Sequence, residues 1–180
     1  MSRYGVFIDG GYFKKLLQQF HSPKISYLKF STEVANGEER LRTYYYDCPP
    51  FISSVPTADE KERQSKFDRF RQMLEREPRF QVRLGRLAKY NTSTGPVFQQ
   101  KKVDILLTCD LLRLSLEKQI SRAVIVAGHS DFVPAIQIAR DAGTVVQLYF
   151  SRTPPPHDEL LAACDERICI DEHLINRIKV

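Results

Sequence analysis

The chain has 180 residues, 42% of them hydrophobic and 27% charged, with a formal net charge of +5. That length suits one domain with a real core, and that composition excludes a disordered or low-complexity chain. No apolar run reaches the ~20 residues of a membrane span. Asp9 and Lys14-Lys15 interrupt any leader-like apolar stretch near the N-terminus. Cys48, Cys109, Cys164 and Cys169 form no CxxC pair and no even framework, so they read as reduced thiols in a cytoplasmic protein. Cys164, Cys169, His157 and His173 could together bind zinc, but they lack the spacing of a structural zinc site.

Tyr4 to Ile8 is a run of β-branched and aromatic residues that predicts a buried strand, broken by Gly10-Gly11. Phe13, Leu16, Leu17 and Phe20 then recur at helical spacing. Arg40 to Tyr46 predicts a second strand, and the proline- and serine-rich residues 48–57 a loop. A helix is expected from about Ala58 to Arg76, with Phe67, Phe70 and Leu74 as its core stripe and Glu77-Pro78 as its end. Phe80 to Leu87 alternates apolar and basic residues, the pattern of a half-buried strand with a cationic outer face. Asn91 to Pro96 reads as a turn-rich loop. Val103 to Lys118 predicts a long helix, Ala123 to Ala127 a buried strand, Phe132 to Ala142 a helix stopped by Gly143, and Thr144 to Phe150 another strand. After the linker Thr153-Pro-Pro-Pro, residues 157–163, 167–170 and 172–179 predict a short helix, a short strand and a closing helix. Strands alternating with helices predict an α/β fold over residues 1–180. In such a fold a mostly parallel sheet is flanked by helices on both faces.

In such sheets ligands bind beyond the carboxyl ends of the strands. Asp9 follows the first strand, Asp104 opens the long helix, and Asp131 follows the Ala123–Ala127 strand. Singly, each is an ordinary turn or cap residue. Together, on separate elements of one α/β pattern, they can converge at one sheet edge, where carboxylates that repel each other suit a hard cation such as Mg²⁺ or Mn²⁺. That points to metal-assisted phosphodiester chemistry. Asp110 lies on another face of the helix from Asp104 and can reach the site's edge or pair with Arg113. His129, before Asp131, is a candidate for binding phosphate, metal or water, and Ser130 and Ser151 are candidates for orienting ligands or phosphate.

Between Lys61 and Lys89 the chain carries ten basic residues, Arg83 and Arg86 among them, against four acidic ones. This concentration suits a polyanionic partner; its plainer reading is a solvated helix face with i,i+4 ion pairs. Other nucleotide and hydrolase signatures are absent: no GxxxxGK[ST], no GxGxxG and no GxSxG. An aspartate-nucleophile phosphatase usually repeats Asp two positions on, where this chain has Gly11.

Four stretches resemble the NYN domain, a branch of the PIN-like nuclease superfamily. They are Phe7-Ile-Asp-Gly-Gly-Tyr12, Lys101-Lys-Val-Asp-Ile-Leu-Leu-Thr-Cys-Asp-Leu-Leu112, Val124-Ile-Val-Ala-Gly-His-Ser-Asp-Phe-Val-Pro134, and the segment from Ser151 through Glu159-Leu-Leu-Ala-Ala-Cys-Asp-Glu to Ile168. The resemblance implies a PIN-like, Rossmann-like fold and divalent-metal ribonuclease activity. Asp9, Asp104 and Asp131 match the family's principal acidic positions and Asp110 a secondary one. Lys101 and Lys102 match a basic element that could contact substrate phosphate. Two positions depart from the family: Tyr12 where Asn is frequent, and His129 where an acid is frequent, leaving one negative charge fewer.

The expectation is therefore a metal-dependent ribonuclease using Mg²⁺ or Mn²⁺ on single-stranded or structured RNA. Tyr12 or Tyr90 could stack on a base, with a buried aromatic role the alternative for Tyr12. One rival is a PIN-like module that binds RNA without turnover, which His129 favours. Another is a phosphohydrolase of small substrates, against which the extended basic stretch argues. A homodimer is compatible with the size, but no surface stripe argues for one.

Overall fold

Val6 and Ile8 turn to one face of the first strand, β1 (Arg3–Asp9), and Phe7 to the other, all fully buried. A strand apolar on both faces needs cover on both, and the topology supplies it. The computed structural model describes residues 2–180, apart from the side chains of Ala88, Phe98, Gln99, Gln100 and Lys101. From β1 the chain runs through α1 (Gly10–Gln18), α2 (Tyr27–Glu33), β2 (Glu39–Asp47), α3 (Ala58–Arg76) and β3 (Phe80–Leu84). A hairpin of β4 (Arg86–Thr92) and β5 (Gly95–Lys101) leads into α4 (Val103–Leu116). The remainder is β6 (Arg122–Val126), a 3-10 turn at Ser130–Phe132, α5 (Val133–Asp141), β7 (Val145–Phe150), α6 (Asp158–Ala163), β8 (Glu166–Cys169) and α7 (Glu172–Ile178).

Six strands form one sheet in the order β3-β2-β1-β6-β7-β8, and every neighbouring pair is parallel. The chain steps outward from β1 to β3, then crosses back to lay β6 on the other side of β1. The order reverses between β1 and β6, where connections depart to opposite faces and open a crevice. On one face Phe7, Ile125 and Leu148 pack with Leu107 and Leu111 of α4 and Ile136 of α5. On the other, Val6, Ile8 and Val124 pack with Phe13 and Leu16 of α1 and Leu174 of α7.

Packing rather than propensity holds the short helices. Nine residues are too few for α1 to stand alone. Burial of Phe13 and Leu16, each worth about 1.5–3 kcal/mol, and the Asp9 cap fix it to β1. The sequence gives no sign of α2, whose cap is Ser26, accepting from the Lys29 N–H at 3.1 Å. Only Tyr27, Phe30 and Ser31 are buried along it, too short a stripe to read as a period. The expected α3 stripe is buried unevenly. Leu74 is fully buried against the sheet, whereas Phe67 and Phe70 are half-buried.

Two expectations change around residue 85. The strand predicted over Phe80–Leu87 ends at Leu84, because the Gly85 N–H bonds to the Asp47 carbonyl at 2.8 Å and closes the β2–β3 ladder. The predicted loop Asn91–Pro96 is the tip of the β4–β5 hairpin, with Gly95 at φ +118° completing the turn. Alternation ran on past Gly85, so periodicity could not show the break. Among the described residues, the four cysteines are free thiols and no helix is long and apolar enough to cross a membrane.

Candidate active site

The β1/β6 reversal is where the three predicted acids meet. Asp9 is the last residue of β1 and caps α1, its Oδ1 accepting the Tyr12 N–H at 3.1 Å. Asp104 lies in the first turn of α4, whose N-terminus points to the same sheet edge. Asp131 sits in the 3-10 turn after β6. All three line one cleft of about 560 Å³, together with Gly128, His129 and Lys15. The linker closes its outer wall through Pro154, Pro155 and His157.

Neither Asp104 nor Asp131 caps its helix. The capping position of α4 is Lys102 and that of the 3-10 turn is His129, and neither makes a side-chain cap bond. Lys102 adopts a left-handed conformation, φ +74°, that turns the chain from the hairpin into α4. A lysine there stores roughly 1 kcal/mol of strain or more.

The cleft is short of positive charge. Burial pushes the Asp9 carboxyl above its ordinary value; the Tyr12 N–H pulls it back, the Asp104 charge raises it further, and His129 opposes. Burial likewise raises Asp104, with His129 opposing and Asp131 adding to the rise. Against three aspartates the lining offers one lysine, Lys15. Among the described residues no three His, Cys, Asp or Glu side chains are gathered tightly enough to clasp an ion. The donors instead stand around an open space. Such spread oxygen donors fit a hard cation held partly through water, the manner in which Mg²⁺ usually binds.

The other candidates separate into distinct places. Tyr12 lines the cleft but is only 6% exposed. A Cβ added at Gly128 would come within 2.5 Å of the Tyr12 ring, so glycine is what lets the β6 loop close on it. Its hydroxyl accepts the Ser151 N–H at 3.1 Å. With its ring packed this way, Tyr12 offers no open face for a base. Ser151 bonds to Gln19 Oε1 at 2.7 Å and is buried. Ser130 is half-buried at the start of its turn.

Asp110 is outside the cleft. Its carboxylate accepts from Arg83 Nε and Nη2, both at 3.2 Å, from Arg113 Nη2 at 3.4 Å and from the Tyr46 hydroxyl at 3.0 Å. Arg83 is thus engaged inside the protein. Arg86 and Lys102 are exposed on the approach to α4, as is Tyr90 on the hairpin. The side chain of Lys101 lies outside the described residues.

Two lining residues escaped the sequence reading. Lys15 follows Gly11 by four positions on α1, so a helical projection from the DGG turn would have found it. His157 arrives through the proline linker, its N–H bonded to the Gly128 carbonyl at 3.4 Å, and no local pattern announces that contact.

A family model of the NYN domain matches residues 3–171, which supports a PIN-like nuclease fold. Among solved structures, a protein of unknown function from Vibrio parahaemolyticus is 15% identical, with a TM-score of 0.64 over 99% of this chain and 96% of that one. The likeness is one of fold. A candidate oxidoreductase from Parabacteroides merdae is 11% identical over 93% of this chain and 31% of that one. Its TM-score of 0.34 is too low to bear on fold or function. No curated protein matches the chain.

Proposed function

The chain belongs to the NYN domain family, and on that premise we propose that it is a metal-dependent ribonuclease acting at the β1/β6 cleft. One observation carries the reading. Asp9 and Asp104, brought from separate elements, are both held above their ordinary pKa by burial and by a neighbouring carboxylate, with one lysine beside them. A cleft lined by perturbed carboxylates is a place where function outweighs stability.

Asp9, Asp104 and Asp131 are the residues that would hold Mg²⁺ or Mn²⁺. When bound, such an ion supplies Lewis-acid stabilisation of the phosphate and a more acidic attacking water. The protein's own groups do the positioning. The Tyr12 N–H fixes one oxygen of Asp9, and the Gly11 N–H adds to the hold on the carboxylate at the cleft. Lys15 faces the same space and pairs with a phosphate oxygen. His129 lines the cleft and is exposed; in this reading it would pass a proton to the leaving oxygen.

Substrate reaches the cleft over a cationic surface. Lys61, Arg63, Arg69 and Arg76 of α3 are exposed. Lys66 pairs with Glu62 at 2.6 Å, a surface pair of little energetic weight that RNA phosphate can displace.

The test is incubation of labelled single-stranded and structured RNA with the protein in Mn²⁺, Mg²⁺ or EDTA, alongside Asp131→Asn. Cleavage that needs metal and disappears in the variant is expected. No cleavage in any metal, with RNA still bound, would overturn the reading in favour of a binding module, with His129 the first residue to examine.

A further inference from the structure

A second hollow adjoins the cleft across Gly11, and its chemistry is opposite. It encloses about 620 Å³ between α1, the segment after β2, and α3. Its walls carry Phe67 and Phe70, Pro49 and Pro50, and the cations Lys14, Arg63 and Lys66, with Asp47 as the acid among them. Asp47 is already committed. Its Oδ2 pairs with Lys14 Nζ at 2.5 Å and its Oδ1 accepts the Cys48 N–H at 2.8 Å. Arg63 is thus a positive excess on the far wall, and Lys66 beside it is held by an exposed pair with Glu62 at 2.6 Å that a phosphate can displace.

Lys14 and Lys15 are consecutive, about 100° apart on α1, so one serves each space: Lys15 the acidic cleft and Lys14 the hollow. The Lys14 ammonium stands 6.0 Å from the Phe67 ring centroid and 5.8 Å from that of Phe70. Phe70 is held edge-on by Tyr27 and Tyr45 at 5.5 and 5.4 Å. No ring is packed against Phe67 in this way among the described residues, and it is half-buried. A half-buried aromatic ring with a partly exposed ammonium over it, and a guanidinium and an ammonium group on the rim, match a flat apolar heterocycle with polar edges on an anionic backbone.

We propose that this hollow holds an unpaired nucleotide of the substrate strand next to the one being cleaved. Its base lies against Phe67, its edge accepts from Lys14, and its phosphate meets Arg63 and Lys66. The proposal rests on the nuclease reading for what happens in the neighbouring cleft, but base binding is separable from cleavage. A duplex keeps its bases stacked and paired and cannot enter, so the hollow selects single-stranded segments.

The test measures binding in EDTA, where no cleavage occurs. The probes are a short labelled single strand of RNA, the same strand with abasic positions, and its duplex. Phe67→Ala and the apolar but non-aromatic Phe67→Leu should weaken the single strand by about tenfold or more. Phe67→Trp should restore it, and duplex and abasic binding should change little. Equal affinity for the single strand across Phe67, Phe67→Leu and Phe67→Trp would overturn the proposal, as would equal losses for single strand and duplex. A protein that cleaves RNA without responding to Phe67 sinks this proposal alone. One that discriminates through Phe67 but never cleaves sinks the nuclease reading alone.

Discussion

Asp9 and Asp110 are almost equally buried, 5% and 6% exposed, yet the chain surrounds them differently. Asp110 receives two arginines and a tyrosine hydroxyl, so its charge is matched by hydrogen-bonded cations on both oxygens. Asp9 receives only the backbone N–H groups of Tyr12 and Gly11, with no paired cation, and faces another carboxylate. A compensated buried charge fixes structure, here tying β2, β3 and α4 together. An undercompensated one raises the energy of the empty site and leaves binding capacity for a cation. The residue type and the burial are the same; the company decides the role.

The largest effect should come from the undercompensated side. Asp104→Asn is expected to slow metal-dependent RNA cleavage by about a hundredfold or more, with the melting temperature in EDTA unchanged or raised. A rate within a few-fold of wild type, read by gel assay, would break the comparison at its functional end. Asp110→Ala should do the reverse. It strands Arg83, Arg113 and the Tyr46 hydroxyl and should cost about 2 kcal/mol of stability. That is below the range for a fully buried pair, because the two arginines are 34% and 43% exposed. Denaturant unfolding gives the stability loss, and cleavage per folded molecule should fall by less than about tenfold.

A pH series sharpens the contrast. Asp9 and Asp104 have folded-state pKa values raised above those of the unfolded chain. Between the two values the native state binds more protons than the unfolded one, so stability falls as pH rises through that window. Metal-free protein should therefore lose stability from the ordinary carboxylate range upward. Asp9→Asn, which keeps an oxygen to cap α1, should flatten the decline. Thermal melts in EDTA with the same slope for both proteins would contradict the origin assigned to the shift. The smallest effect concerns the entry to α4. Lys102→Gly should relieve the left-handed backbone and raise stability by under about 1 kcal/mol, while weakening RNA binding slightly through the lost charge.

The acidic cleft was legible in the sequence for a topological reason. Alternating strands and helices put Asp9, Asp104 and Asp131 at element boundaries, and boundaries on the carboxyl side of a parallel sheet share one edge. The α3 limits were likewise written in Thr57, Glu60 and Pro78, which form the capping box and the stop. What stayed hidden depended on contacts between distant segments. Arg83 reads as an outward cation from strand alternation, but α4 covers that face and brings Asp110 to it. The hairpin was masked because alternation continues on both sides of Gly85. His157 reaches the cleft only because the linker folds back onto Gly128.

Calorimetric titration of Mn²⁺ into wild type, Asp104→Asn and Asp110→Ala tests most directly whether charge compensation separates a cation site from a structural ion pair. The account predicts saturable binding by wild type and by folded Asp110→Ala, and loss of binding in Asp104→Asn. Binding that survives Asp104→Asn unchanged, or no binding by wild type, would contradict it.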